Sequence, residues 1–457
     1  MAENFDCIII GSGQAANPLA HALAEAGLRT ALIEQKHVGG TCINEGCTPT
    51  KTMVASARVA YQARRGANYG VNGCSVSIDM QRVRQRKRDI VDSFRNGGEK
   101  RLRETKNIDL IFGHGSFGGP KSVEVALNDG GQRLLTADRI FINTGTRAGV
   151  PSLAGLNGLP YLDNSSIMEL DIVPEHLLIM GGGYIGVEFG QMFRRFGSRV
   201  SIVQSGPQLL KSEDRDVAEE VTKILREDGI EIFLNTKAQK VSQTGNTIQL
   251  EVSNGQILSG SHLLVATGRI PNSDMLNLQS AGIETENGFI KVNNKLETNV
   301  PGVYALGDVK GGPAFTHISY DDFRIIRGNL LQKRNLTTDQ RMVPYVVFID
   351  PQLGRIGMSE TEARTNKRKF RVAKMPMNYV SRALETDETR GFMKALVATD
   401  SGEILGATVL GLEGGEIMSI LEVAMMGKLP YTALRDGTFA HPTLAESLNN
   451  LFSTLDN

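Results

Sequence analysis

The stretch Phe5–Gln35, FDCIIIGSGQAANPLAHALAEAGLRTALIEQ, decides how the rest of the chain is read. An apolar run of strand length ends at Gly11, a glycine-rich turn follows, an amphipathic helix runs to about Gly27, and a second strand closes at Glu34. This is a βαβ unit with a dinucleotide-binding pattern. Gly11 and Gly13 permit a tight turn and close backbone approach to a pyrophosphate, and Ala16 fills the third small position. The helix start offers free amides to the anion. Glu34, 23 residues after Gly11, is placed to accept hydrogen bonds from a ribose.

The pattern recurs in His176–Gln204, HLLIMGGGYIGVEFGQMFRRFGSRVSIVQ, with Gly181, Gly183 and Gly186 in the turn and helix and Gln204 again 23 residues after the first glycine. A companion element recurs too: FINTGT (Phe141–Thr146) and LVATGR (Leu264–Arg269) each carry an apolar run into Thr-Gly. Two dinucleotides in two related domains are expected. PGVYALGDV (Pro301–Val309) is an apolar strand ending in Gly307 and Asp308, whose carboxylate suits a sugar-alcohol hydroxyl. After Pro344 the pattern changes to strands such as YVVFID and RGFMKALVAT and then to helices, a third kind of domain.

Composition narrows the function classes. The 457 residues carry 50 basic and 50 acidic side chains, so no excess charge points to nucleic acid or an anionic membrane surface. The basic run QRVRQRKR (Gln81–Arg88) reads as a solvated helix face. The first residues lead straight into the apolar strand without a signal-peptide pattern, and no apolar run reaches membrane-spanning length, so a cytoplasmic protein is expected.

In a reducing compartment four cysteines do not suggest a structural disulfide framework. Two of them, Cys42 and Cys47, lie in GGTCINEGCTPTK (Gly39–Lys51). Three readings compete: a metal site, inert thiols, and a redox-active pair. Zinc usually wants two such pairs, and neither Cys7, in a buried strand, nor Cys74 has a near partner. For a disulfide, positions i and i+5 of an ideal helix lie about 8–9 Å apart, beyond the roughly 7 Å limit, so the helix must be distorted. Gly46 and Pro49 make distortion easier.

GSGQAA, GGTCINEGCTPTK, GHGSF, GGGYIGVE, ATGRIPN, YALGDV and HPTLAE occur in the order found in the flavoprotein disulfide reductases of the pyridine-nucleotide class, which the chain resembles end to end. FINTG, GGPAFTHISYDDFRI and HPTLAESLNNLF most resemble the subgroup of reactive-chlorine-resistance and mercuric-reductase-like enzymes. The resemblance implies an α/β fold of two Rossmann-like three-layer dinucleotide-binding domains plus a C-terminal α+β dimerisation domain. Residues 1–150 and 271–340 would form the FAD-binding domain, 151–270 the NAD(P)-binding domain, and 341–457 the interface of a homodimer.

It also implies roles. NADH or NADPH would reduce FAD, and the electrons would pass to a Cys42–Cys47 disulfide. Cys47 resembles the thiol against the flavin that gives a charge-transfer complex, and Cys42 the interchange thiol that attacks the substrate. Lys51 resembles the lysine beside the flavin N5, with Glu188 as its partner, and Tyr184 the tyrosine that covers the empty nicotinamide pocket. His441 and Glu446 resemble the acid/base pair that reaches the disulfide of the other subunit; an imidazole can move the proton that thiol exchange requires. Gly11, Gly13, Ala16, Glu34, Gly40, Thr41, Lys51, Gly115, Thr144, Gly145, Asp308, Ala314 and Phe315 fall on FAD-binding positions. Gly181, Gly183, Tyr184, Ile185, Gly186, Glu188, Gln204 and Gly268 fall on NAD(P)-binding positions.

Departures bear on the acceptor. The tail SLNNLFSTLDN lacks the vicinal cysteines with which mercuric reductases collect metal and the redox pair of large thioredoxin reductases, and no N-terminal metal-binding domain is expected. No structural metal is expected, only a transient substrate metal at Cys42 and Cys47. The leading expectation is reduction of a metal ion such as Cu(II) or Hg(II). The alternatives are a small-disulfide reductase or dihydrolipoamide dehydrogenase-like enzyme, and a flavin redox sensor or complex subunit without useful turnover.

Overall fold

A computed structural model describes residues 1–73, 75–339 and 341–456; Cys74 lies outside the described residues. The chain folds into two compact units: Met1–Met53, Gln81–Gly149 and Gly268–Arg341 form one, and Val54–Met80, Val150–Thr267 and the chain from Met342 onward form the other.

The first unit begins with β1 (Glu3–Ile10), α1 (Ala16–Glu25) and β2 (Thr30–Glu34). It continues with α2 (Gly40–Asn44), α3 (Cys47–Arg64) and α4 (Met80–Glu104), α3 and α4 each reaching past the boundary between the units. Three strands follow, β3 (Ile108–Gly119), β4 (Ser122–Leu127) and β5 (Gln132–Ile142). β1 pairs in parallel with β2 and β5, setting Ile8–Ile10 beside Ala31–Ile33 and Ile140–Ile142. These strands are apolar throughout because both faces of the parallel sheet are covered. Ile8, Ile10, Ile33, Ile140 and Ile142 pack on one side; Cys7, Ile9 and Leu32 pack on the other with Leu19, Ala20 and Leu23 of α1. β4 joins β3 and β5 in antiparallel pairing within the same sheet.

The second unit opens a nucleotide fold with β6 (His176–Met180), α5 (Tyr184–Phe196), β7 (Arg199–Val203), α6 (Arg215–Glu227), β8 (Glu231–Phe233) and β9 (His262–Val265). Its sheet is parallel in the order β9-β6-β7-β8. The chain then returns to the first unit, where β10 (Val303–Ala305) adds in parallel to β5 and α7 (Thr316–Gln332) follows. Last come β11 (Tyr345–Val347), β12 (Gln352–Gly357), β13 (Phe370–Pro376), β14 (Phe392–Ala398) and β15 (Ile404–Gly411), an antiparallel sheet ordered β11-β12-β15-β14-β13. Helices α8 (Gly414–Met426) and α9 (Ser447–Ser453) pack against it through Ile417, Leu421, Leu448 and Phe452.

The second nucleotide fold and the C-terminal sheet share one compact unit because buried charges tie them. Lys394 on β14, 2% exposed, donates to Asp214 at 3.0 Å and Asp216 at 2.8 Å. Gln191 and Arg195 on α5 both bond to Asp350, which precedes β12. The basic run Gln81–Arg88 lies in α4, mostly exposed, with Lys87 buried and Arg86 donating to Thr52 O at 2.9 Å. Among the described residues no helix is long and apolar enough to cross a membrane.

Candidate functional site

The two glycine turns share one construction. At Gly11 the backbone takes φ +91°, and a Cβ there would stand 2.5 Å from Asn143 O, so only glycine fits. Glu34 reaches back from the end of β2: its Oε2 accepts from Ser12 N at 3.0 Å and from the Ser12 hydroxyl, and its Oε1 accepts from Lys36 N at 2.8 Å. In the second unit Gln204 Oε1 accepts from Gly182 N at 2.9 Å. Thus Glu34 and Gln204 each fix the amide after the first glycine of their turn. Gly186 lies where a Cβ would come within 2.0 Å of Gly181 O, which lets α5 press onto β6.

Asn143 is a buried residue beside the glycine turn that sequence reasoning missed. It is buried at the end of β5; its Oδ1 accepts from Ala16 N at 3.2 Å and its Nδ2 donates to Leu306 O at 2.7 Å. One amide therefore joins the start of α1 to the strand that delivers Asp308. Asp308 is itself oriented by Thr146 Oγ1, which donates to Oδ2 at 3.2 Å and accepts from Arg269 Nε at 2.8 Å. Burial pushes the Asp308 carboxyl above its ordinary range, against the pull of Arg269 and Thr146.

The remaining residues expected at the flavin site are placed as follows. Thr144 exchanges two bonds with Asn272, hydroxyl to carbonyl at 2.9 Å and side-chain amide to Thr144 O at 2.8 Å. Gly40 packs on Gly13, whose Cα would be 2.8 Å from its Cβ, and Thr41 O accepts from Glu45 N. Gly115 sits within β3, where a Cβ would meet Ile33 and Ile10, so its small size serves sheet packing. Ala314 and Phe315 lead into α7, with the Phe315 ring stacked on His317. Gly145 faces space in which a Cβ would meet nothing within 4 Å; Gly268, expected at the NAD(P) site, falls in this first unit with the same open space around it. A glycine turn opening onto α1, acceptors at Glu34 and Asp308, and this open backbone cradle fit a dinucleotide such as FAD.

The cysteine pair occupies a broken helix. α2 ends at Asn44, Glu45 leaves helical geometry with φ −142° and ψ 13°, and α3 starts at Cys47. At Gly46 a Cβ would be 2.8 Å from Thr41 O, so the break requires glycine. Pro49 sits in the first turn of α3, where its missing N–H costs nothing. Asn44 secures the end of α2 by donating to Gly40 O and Val38 O, while Arg95 of α4 donates to its Oδ1 at 2.8 Å. The break sets half-buried Cys42 close to exposed Cys47, with no disulfide between them. The Cys42 pKa is pushed well above the ordinary thiol value by its hydrogen bond to Cys47, by burial and by the Cys47 charge; Thr316 and Lys51 pull the other way. Cys7, buried in β1, has its pKa pushed up to about 12 by burial and is inert.

In the second unit, His441 and Glu446 form a dyad, with Nδ1 at 2.8 and 3.0 Å from the two carboxylate oxygens. The carboxylate holds the proton on Nδ1 and leaves Nε2 for chemistry. His441 is 66% exposed by side chain, open to an incoming group. Tyr184 is exposed at the start of α5, with Gly183 beside it facing open space. Ile185 is half-buried in the first turn. Glu188 is buried and accepts from Phe348 N at 2.8 Å. A turn opening onto α5, with Gln204 behind it, suits a nicotinamide dinucleotide. Among the described residues no cluster of three or more His, Cys, Asp or Glu side chains is arranged to hold a metal ion.

Comparison with known proteins agrees with this geometry. A model described as pyridine nucleotide-disulphide oxidoreductase matches residues 5–322, and the dimerisation domain of that family matches 343–452. The chain is 40% identical to "Probable pyridine nucleotide-disulfide oxidoreductase RclA" of Escherichia coli (strain K12), over 99% of both chains. It is 33% identical to mercuric reductase of Staphylococcus aureus, over 99% of this chain and 83% of that protein. A solved structure, the Cu(II) complex of HOCl-induced flavoprotein disulfide reductase RclA from Escherichia coli, superposes with a TM-score of 0.92 at 39% identity, covering 99% of this chain and 100% of that one.

Proposed function

The chain belongs to the pyridine nucleotide-disulphide oxidoreductase family, whose members use FAD and NAD(P)H, and we propose that it delivers electrons through Cys42 and Cys47 to a metal ion, Cu(II) or Hg(II). The observation that carries this reading is the pair itself: two adjacent thiols, one of them exposed, with no further metal-ligating cluster among the described residues. Two sulfurs take a soft or borderline ion, and with so few ligands the site has little to retain it after reduction. The copper complex of the RclA relative and the mercuric reductases among the relatives support the same class of acceptor.

The chemistry that bound FAD supplies is exchange of two electrons between the reduced nicotinamide and the sulfur pair. Glu34, Asp308 and the Gly11 turn would hold it; the Gly181 turn and Gln204 would hold the nicotinamide cofactor. Lys51 offsets negative charge at the sulfurs. Oxidation of one NAD(P)H balances reduction of one Hg(II) to Hg(0) or of two Cu(II) to Cu(I).

The His441–Glu446 dyad favours a second reading, reduction of a small disulfide, because a leaving thiolate needs a proton and a metal ion does not. An anaerobic assay separates them: lipoamide, oxidised glutathione, Cu(II) and Hg(II) are offered in parallel, with His441→Ala beside the wild type. Metal reduction is expected to depend weakly on His441 and to be slow on fully thiol-ligated ions. Fast lipoamide or glutathione turnover, lost in His441→Ala, together with inertness to both metals, would refute the metal reading. No rapid NAD(P)H oxidation with any acceptor would point to a sensor.

A further inference from the structure

We propose that Asp322 is a positioning residue for the flavin site: it holds the Gly307 amide and thereby aims the carboxylate of Asp308. This inference rests on the reading of Asp308 as the acceptor for a sugar-alcohol hydroxyl of FAD. Asp322 lies in the second turn of α7 and is wholly buried in the first unit. Its Oδ2 accepts from Gly307 N at 2.7 Å, and its Oδ1 accepts from Arg341 Nη2, also at 2.7 Å. Lys310 Nζ stands 3.4 Å from Oδ2.

The peptide that links Leu306 to Gly307 is thus gripped at both ends. Its oxygen accepts from Asn143 Nδ2 at 2.7 Å, and its N–H donates to Asp322. Asp308 is the next residue, so turning this peptide over would exchange the oxygen and the N–H and swing the carboxylate away. Gly307 sits at φ +69°, in the left-handed region, and a glycine backbone also tolerates the reversed peptide. The choice of orientation therefore falls to the two hydrogen bonds. Stability alone gives little reason for a carboxylate here. Pairing with Arg341 and Lys310 offsets the cost of burying the charge, and an apolar side chain of similar volume would serve the fold as well. An apolar side chain cannot accept from Gly307 N. A charged acceptor also makes that bond stronger than a neutral one would.

The test is a fluorescence titration of the apo-protein with FAD in wild type, Asp322→Ala, Asp322→Asn, Asp308→Ala and the double variant Asp308→Ala/Asp322→Ala. Loss of a hydrogen bond to a charged group should raise the FAD dissociation constant about tenfold or more in Asp322→Ala. Asp322→Asn keeps an oxygen for Gly307 N and should stay within about threefold of wild type, whereas a role in charge balance alone would make it as damaging as Asp322→Ala. In the Asp308→Ala background, Asp322→Ala should cost no more than about a further twofold, because the group it aims is gone. Asp322→Leu, which fills a similar volume without an acceptor, replaces Asp322→Ala in this cycle if the cavity prevents folding. Equal losses in both backgrounds would show that Asp322 acts on the fold and not through Asp308, which overturns the proposal and leaves Asp308 at the flavin. An Asp308→Ala dissociation constant within about twofold of wild type overturns both.

Discussion

The amide of Gln204 gives the proposed nicotinamide site a direction that can be reversed by one atom. Its Oε1 accepts from Gly182 N at 2.9 Å, and a backbone N–H must be met by an acceptor, so the carbonyl oxygen faces the turn and the NH2 group faces outward over Gly206. At the equivalent position of the flavin half, Glu34 makes the same bond to Ser12 N but is a carboxylate, an acceptor on every side. Gln204 thus offers a cofactor donors only, which suits a 2′-phosphate and does not repel a 2′-hydroxyl. Both cofactors should work, with a modest preference for NADPH. Replacing Gln204 by Glu keeps the bond to Gly182 and puts an anionic oxygen where the NH2 was. Against NADPH this removes a charge-assisted hydrogen bond, about 1.5–3 kcal/mol, and sets like charges near each other, about 1 kcal/mol per charge pair at 4 Å in water. A total near 3 kcal/mol corresponds to more than a hundredfold change in the NADPH:NADH ratio of kcat/KM, at tenfold per 1.4 kcal/mol. Steady-state kinetics with both cofactors in wild type and Gln204→Glu measure it directly. A change in the ratio below about fivefold, roughly 1 kcal/mol, or a wild type that already prefers NADH a hundredfold, would refute the reasoning.

Four further outcomes are expected. Anaerobic reduction should take up about four electrons per subunit, two for flavin and two for the disulfide; full bleaching of the flavin by two electrons would remove Cys42 and Cys47 from the pathway. Asn143→Ala strands Leu306 O, a cost of about 1–3 kcal/mol for a buried group, and leaves Ala16 N only its bond to Gly13 O, so the FAD dissociation constant should rise about tenfold in a fluorescence titration. Burial raises the Asp214 pKa, but bonds from Glu360 N, Lys394 and Thr361 outweigh it and hold the carboxyl below its ordinary range. Its stabilisation is therefore present above about pH 4 and is lost as pH falls through the folded value. Asp214→Asn should cost about 3 kcal/mol at neutral pH in denaturant unfolding and flatten the acid limb. Finally, if His441 serves the thiols of the other subunit in a homodimer, inactive Cys42→Ser and His441→Ala chains, unfolded and refolded together, should recover about a quarter of the sites for a disulfide acceptor, and none if the dyad serves its own chain.

The parts of the site legible in the sequence are those whose partners are near in the chain or whose spacing is fixed by helix geometry. Gly11 and Glu34 are visible because a strand, a turn and a helix of standard length separate them, and their structural counterparts Gly181 and Gln204 repeat the interval. The break between Cys42 and Cys47 is visible because an unbroken helix would hold five-residue neighbours too far apart. What stayed hidden depends on residues brought together by the sheet. Asn143 looks like one polar residue in FINTG, yet its two partners lie 127 and 163 positions away. Thr316 looks like the start of a helix, and only the packing of α7 sets it beside Cys47. Lys394 interrupts an apolar strand and looks misplaced until Asp214, 180 positions earlier, appears as its counter-charge.

These hidden residues share a property that explains both their obscurity and their use. Each joins a segment of the first half of the chain to one of the second, so no local pattern can announce it. Asn143 joins the amide at the start of α1 to the strand preceding Asp308. Thr316 delivers a helix end to a sulfur at the start of α3. The early segments of the first unit supply the glycine turn and thiols; its return segment supplies a carboxylate and a hydroxyl. Cutting the polypeptide into two segments at the second nucleotide fold is therefore expected to abolish flavin retention unless both segments reassociate, since neither carries a complete set of donors and acceptors. Co-refolding residues 1–149 with 150–457 and measuring bound FAD tests this; full flavin occupancy in residues 1–149 alone would contradict the division of roles.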